Sequence, residues 1–146
     1  MVGIVVVGHG RLGAEMVQAL ESVLGPIEGM EAVVTATSDR PEDIGTRIRA
    51  AVERVDAGDG ALILTDMLGD TATNQSIALA RQSGGRLEVV AGVNMPILIK
   101  LATARAEMDA RALARFLKRY GQEHIFWATA PRPTRHDEDA DGRRHH

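Results

Sequence analysis

A histidine, His9, stands where the apolar run Val2 to Val7 gives way to a glycine-flanked turn, Gly8-His9-Gly10. A second apolar run, Ala61 to Thr65, ends at Asp66 and continues into Gly69-Asp70-Thr71. If both runs are parallel strands, an imidazole and a carboxylate share one sheet edge, the place where open α/β sheets put their ligands. Asp66 would accept a hydrogen bond from Nδ1, fix the tautomer and leave Nε2 free to attack an electrophile. The same carboxylate would stabilise the ring once Nε2 is substituted and the ring is positive. The helix that starts just after His9 is expected to disfavour the imidazolium and keep a neutral, nucleophilic nitrogen available. Backbone N–H groups in the turns at Gly10 and Gly69, with the hydroxyl of Thr71, are candidates for holding phosphoryl oxygens.

Each of these residues also has a purely structural reading. His9 is equally a satisfied polar residue and Asp66 a turn or capping side chain, while Asp39 and Asp70 read as helix caps before anything else. Met67, Leu68 and Met95 fall in strand-to-helix connections, where they form either an exposed docking rim or part of the core. Gly8, Gly10 and Gly13 also satisfy a dinucleotide fingerprint, with Asp39 at a plausible distance for a ribose-binding acid. The chain offers only about four parallel strands and no substrate domain for that purpose, and the fingerprint leaves Asp66 unexplained. A phosphate loop of the nucleotide-hydrolase type is absent, because neither of the two lysines, Lys100 and Lys118, has the required glycine spacing.

These side chains need a sheet to bring them together, and short β-branched runs alternate with helical patterns along the chain. Val2 to Val7, Ala32 to Thr37, Ala61 to Thr65 and Leu87 to Ala91 read as strands, so nearly continuous in apolar residues that they should be buried on both faces. Leu12, Met16, Leu20 and Val23 recur at helical spacing, as do Ile44, Ile48, Ala51 and Val55. Pro41 suits the first turn of the second helix, behind Ser38 or Asp39 as cap. Further helices are expected from Thr71 to Gln82, from Asn94 with Pro96 in its first turn, and from Asp109 through Tyr120 to a stop at Gly121. The alternation predicts an α/β three-layer sandwich, with a four-stranded parallel sheet and helices on both faces. Residues 124 to 129 add a short edge strand, read as antiparallel. From Ala130 the composition turns polar and charged, which predicts a disordered tail over 130–146 that ends in a His145-His146 pair.

Composition bounds the function. At 146 residues and 45% hydrophobic, the chain is long enough for one core and too short for two ordinary domains. A net charge of -3 with mixed signs leaves no basic face for nucleic acid. The absence of cysteine excludes thiolate metal sites and disulfides. No stretch is long enough to cross a bilayer, and the first apolar run lacks the basic flank of a signal peptide, so the protein reads as cytoplasmic.

Taken in order, these segments resemble a family: the IIA domains of the mannose type (mannose, fructose, sorbose) in the bacterial phosphoenolpyruvate-dependent sugar phosphotransferase system. The resemblance is carried by Gly8-His9-Gly10 after an apolar strand, by Leu64-Thr65-Asp66-Met67-Leu68-Gly69 with Asn74 beyond it, and by Ala91-Gly92-Val93-Asn94-Met95-Pro96-Ile97-Leu98. It spans residues 1 to 129. It implies that His9 accepts a phosphoryl group from the phosphohistidine of HPr and passes it to a separate IIB protein, that Asp66 orients the ring, and that no metal, ATP or other cofactor is needed. It also implies a homodimer, with residues 124 to 129 as an element exchanged between subunits. The chain departs from the family at Gly69-Asp70-Thr71-Ala72, where Gly-Gly-Ser/Thr-Pro is common. An inward Asp70 would place a carboxylate near the phosphoryl group, and an outward one would only cap a helix. The rival readings are a regulatory or inactive homologue, a related dihydroxyacetone-kinase phosphocarrier subunit, a small dinucleotide-binding module and, ranked last, a tetrapyrrole chelatase.

Overall fold

The computed structural model describes residues 1–131; the terminal histidine pair and almost all of the expected tail lie outside the described residues. Four strands, β1 (Gly3–Gly8), β2 (Met30–Val34), β3 (Ala61–Thr65) and β4 (Leu87–Ala91), form one sheet in the order β2-β1-β3-β4. All three pairings are parallel, with Val6 opposite Ala32 and Leu64, and Leu64 opposite Val90. Every residue of β1 and β3 is buried, as their apolar runs require of central strands, whereas β2 and β4 are only partly covered.

Side chains alternate between the two faces with the strand period of two. Ile4, Val6, Leu62 and Leu64 face a core completed by α1 (Leu12–Leu24), α4 (Met95–Ala104) and α5 (Ala110–Glu123), through Leu20, Leu98, Leu101, Leu113 and Leu117. Val5, Val7, Ala61 and Ile63 face the other layer, α2 (Pro41–Val55) and α3 (Thr71–Arg81), through Ile44, Ile48, Val52 and Ala72. This is the expected three-layer sandwich with helices on both faces.

Three local expectations are corrected. Residues 124 to 129 form no strand: His124 ends α5, stacks its ring on Tyr120 at 3.6 Å, and the chain closes a turn through the Ala130 N–H donating to the Trp127 carbonyl. Ile125 lines a hollow with Val90 and Ala91 of β4 without pairing to that strand, and among the described residues the sheet holds four strands. Second, α5 runs through Gly121 instead of stopping there, because Gly121 is the contact point with α4; a Cβ would lie 2.6 Å from Ile97 Cδ1. Third, neither Ser38 nor Asp39 caps α2, whose N-cap is Arg40 with Pro41 behind it; Asp39 accepts from the Ala36 N–H and pairs with Arg47 at 2.6 Å.

Candidate functional site

Close packing between β1 and α1 sets the position of His9. A Cβ on Gly8 would lie 2.9 Å from the Gly13 nitrogen, and one on Gly13 would lie 2.9 Å from the Val6 carbonyl oxygen. Glycines at both places let the helix start directly above the strand end. Gly10 adds the left-handed step, at φ +56, that turns the chain into α1. From the neighbouring β2 end, Thr35 clamps this turn: its hydroxyl donates to the Gly8 carbonyl at 2.9 Å and its N–H to the Gly10 carbonyl at 3.2 Å. The glycine pattern shared with a dinucleotide fingerprint is thus explained by strand-to-helix packing, and Asp39 is occupied by Arg47.

The β3 end supplies the carboxylate. Asp66 Oδ2 accepts from the His9 backbone N–H at 2.9 Å and lies 2.7 Å from His9 Nδ1. Nδ1 therefore carries the proton, and Nε2 is left for chemistry on a ring whose side chain is 56% exposed. One carboxylate oxygen holds both the backbone and the ring of His9. The His9 N–H is consequently engaged by Asp66 and is not among the donors open to a ligand. Among the described residues, Asp66 Oδ1 is buried and has no hydrogen-bond partner.

Asp70 is the group whose direction the sequence left open, and it does both things at once. Its Oδ1 accepts from the Thr73 N–H at 2.7 Å as the N-cap of α3, while its Oδ2 stands 3.4 Å from His9 Nδ1. The Asp66 and Asp70 side chains are each only 11% exposed.

These contacts set the charges. The hydrogen bond to Asp66 and the charge of Asp66 raise the His9 pKa above its ordinary 6.5, desolvation opposes them, and the charge of Asp70 adds a lesser upward push. The direction is opposite to that expected from the helix start alone, because two nearby carboxylates outweigh a partial dipole. Burial pushes the Asp66 carboxyl up, but the His9 backbone N–H and ring together hold it below its usual value.

Thr73 holds this loop from below and was not singled out in the sequence. Its buried hydroxyl lies 2.8 Å from the Thr65 hydroxyl and donates to the Met67 carbonyl at 2.7 Å. The Thr65 carbonyl in turn accepts from the N–H groups of Gly92 and Val93, both at 2.9 Å, which ties the Gly-Val-Asn segment to the same strand end. Asn94 caps α4, accepting from the Ile97 N–H at 2.9 Å. The available signal for Thr35 and Thr73 is a hydroxyl residue just after a strand or in the first turn of a helix, too common to select alone.

A cleft of about 430 Å³ opens beside the ring, with His9, Gly10, Thr35, Gly69, Asp70 and Thr71 in its wall. The candidate phosphate-binding residues Gly10, Gly69 and Thr71 are therefore gathered at one opening. Met67 and Leu68 project from the same loop with 54% and 73% of their surface exposed, whereas Met95 is half-buried against the α1/α4/α5 core. Among the described residues, His9, Asp66 and Asp70 are the one group of three that places possible cation-binding atoms within 4.8 Å of one another. Nδ1 is already bonded to Asp66, so a cation there would have to replace the contact that orients the ring.

A single exposed imidazole nitrogen, with its partner nitrogen fixed by a carboxylate at a parallel-sheet edge, is an arrangement for nucleophilic group transfer. The family model described as "PTS system fructose IIA component" matches residues 3–118. The chain belongs to the mannose-type IIA family of the sugar phosphotransferase system. It is 24% identical to the fructose-specific EIIA component of Bacillus subtilis over 94% of this chain and 99% of that one. Against the mannose-specific EIIAB component of Escherichia coli K12 it is 26% identical over 71% of this chain, and it spans 32% of that protein.

Two solved structures share the fold. The mannose/sorbose-specific IIA subunit of Enterococcus faecalis superposes with a TM-score of 0.78 at 25% identity, covering 91% of this chain and 98% of that one. A phosphotransferase system EIIA component from Streptococcus agalactiae gives the same score at 23% identity, covering 86% and 96%. Family membership supports a phosphotransfer role in the sugar phosphotransferase system. Among the described residues, no helix of this IIA chain is long and apolar enough to cross a membrane.

Proposed function

We propose that this IIA protein is a cytoplasmic phosphohistidine carrier, accepting a phosphoryl group from HPr on His9 Nε2 and passing it to a separate IIB protein. The observation that carries this reading is the 2.7 Å contact between His9 Nδ1 and Asp66, which commits Nε2 to the outside of the molecule. In the forward step, neutral Nε2 attacks the donor phosphorus. The donor's N–P bond breaks with its electron pair returning to the donor nitrogen, and the His9 ring becomes cationic with its Nδ1 proton facing Asp66. Delivery reverses these changes. Such transfer depends on positioning and charge more than on covalent help from the protein.

Gly10, Gly69 and Thr71 are assigned to the phosphoryl oxygens from their place around the opening. Met67 and Leu68 are assigned to partner docking from their exposure beside it. The functional unit is residues 1–129. A homodimer joined through residues 124–129 is consistent with the exposed Ile125, Phe126 and Trp127, which are 77%, 73% and 73% accessible in the single chain.

The test is incubation with phosphoenolpyruvate, enzyme I and HPr, followed by intact-mass and peptide analysis under non-acidic conditions. One added phosphoryl group on His9 in the wild type, and none on His9→Ala, is the expected result. No transfer from a competent HPr would overturn the reading.

A further inference from the structure

We propose that Asp70 is a second positioning carboxylate for the phosphoacceptor: while one oxygen caps α3, the other holds the proton on His9 Nδ1 when Nε2 carries the phosphoryl group. The inference rests on the phosphocarrier reading above and adds a residue to it. Three observations carry it. Asp70 Oδ2 stands 3.4 Å from Nδ1, on the side of the ring where Asp66 Oδ2 stands at 2.7 Å. The Asp70 side chain is fixed by its bond to the Thr73 N–H, so the charge is held at that distance by the start of a helix. It is also largely covered, at 11% exposure, which limits the screening of its field by water.

The position is one where the resemblance implies glycine, which has no side chain to offer. Gly69, at φ +94, supplies the left-handed step that brings Asp70 round to face the ring. The other charged groups around the ring are engaged elsewhere: Asp39 in the cleft wall pairs with Arg47 at 2.6 Å, and Arg11 at the head of α1 lies 3.5 Å from Glu15. Among the described residues, Asp66 and Asp70 are therefore the two charges that act on Nδ1 at short range.

The chemical consequence concerns the leaving group. When the N–P bond breaks, its electron pair returns to Nε2. A ring that keeps its Nδ1 proton then leaves as neutral imidazole, whereas a ring that has lost it would have to leave as an imidazolate. In hydrolysis, water supplies the oxygen to phosphorus and releases its proton to solvent. A second carboxylate beside Nδ1 keeps the good leaving group present to higher pH, so the phosphoryl group is more transferable in alkaline conditions. The opposite face of the same effect is that unphosphorylated His9 stays protonated to higher pH, where it cannot attack.

The experiment compares wild type with Asp70→Asn, which keeps an equally good helix cap and removes the charge, and with Asp70→Ser as a second uncharged cap. Two readouts are taken: the NMR titration of the His9 ring in the free protein, and the rate of phosphohistidine hydrolysis against pH. Both midpoints are expected to fall in both variants, and hydrolysis on the alkaline limb to slow by about threefold, the size of effect that a partly screened charge exerts. Unchanged midpoints in variants that melt like wild type would overturn the proposal and leave Asp70 as a cap alone. Failure of wild type to be phosphorylated by a competent HPr would overturn the carrier reading and this inference with it, an outcome visible without either variant.

Discussion

Two edges of the sandwich are built on opposite terms. At the carboxyl ends of β1 and β3, exposed polar groups are fixed from a distance in sequence. Asp66 reaches back 57 residues to His9, and Thr35 reaches back 27 to the Gly8 carbonyl. At the outer end, beyond α5, three large apolar side chains are mostly exposed, and among the described residues the segment's hydrogen bonds come from four residues away or fewer, such as His124 on the Tyr120 carbonyl and Trp127 on Thr129. A site that must present one nitrogen in one direction needs long-range ties. Among the described residues the outer segment has no long-range hydrogen bond, and its large apolar side chains stay mostly exposed. The contrast predicts that substitutions at the first edge are expensive in function and those at the second are nearly free in the monomer.

The largest effect is expected at Asp66. Replacing it with Asn keeps the volume and one oxygen acceptor but removes the charge that holds the Nδ1 proton and stabilises the cationic ring, and loss of an orienting carboxylate costs up to about 10⁴-fold in a comparable catalytic arrangement. Rapid-quench phosphorylation by HPr measures it. A loss below about tenfold would mean that the edge tolerates a free ring and would erase its difference from the outer edge. In the wild type, the rate should rise with pH through the raised pKa of His9, because only the neutral ring attacks. Its NMR titration midpoint should lie above 6.5. By linkage, a raised histidine pKa stabilises the fold below the unfolded value, and that contribution is lost as pH rises through the folded one.

The next effect is on stability. Gly13→Ala would drive a Cβ to 2.9 Å from the Val6 carbonyl oxygen, a backbone atom that cannot swing aside, and overpacking of this kind costs about 1–3 kcal/mol. Urea unfolding should show the loss with an unchanged slope. Gly10, whose surroundings are open, would lose only through its left-handed φ. A smaller loss is expected from Thr73→Val, which keeps the shape and strips a buried hydroxyl from between Thr65 and Met67, at about 1–2 kcal/mol for polar groups left without partners. If that variant also loosens the Asp66 loop, the phosphorylation rate will fall with the stability.

The two edges also differ in how well they can be read from sequence. Strand β3 and strand β4 coincide with their apolar runs to the residue, and the pairing of His9 with Asp66 follows once two parallel strands are accepted, because both residues sit at the same kind of strand end. The strand before α2 is expected at Ala32 to Thr37 but lies at Met30–Val34, because Thr35 reads as strand by type while its hydroxyl clamps a turn. His9's raised pKa depends on Asp70 as well as Asp66, and the second oxygen of a capping aspartate has no signature in a linear pattern. At the outer edge, Ile125-Phe126-Trp127 has the composition of a strand, but a strand exists only when it has a partner to bond. In the single chain these three residues form no regular structure and lead into a turn at residues 128–129.

The smallest effect in the monomer is therefore the sharpest test of the outer edge. Replacing Ile125, Phe126 and Trp127 together by Ser removes three large side chains that are each more than 70% exposed, and exposed positions with few partners usually shift stability by no more than about 0.5 kcal/mol. Unfolding at low protein concentration should be almost unchanged. If the same variant sediments as a monomer at concentrations where wild type is a dimer, the apolar segment belongs to an interface between subunits, and its large exposed area in one chain is accounted for. If wild type is itself monomeric at those concentrations, or if the variant loses several kcal/mol as a monomer, the segment packs on its own chain and the contrast between the two edges disappears.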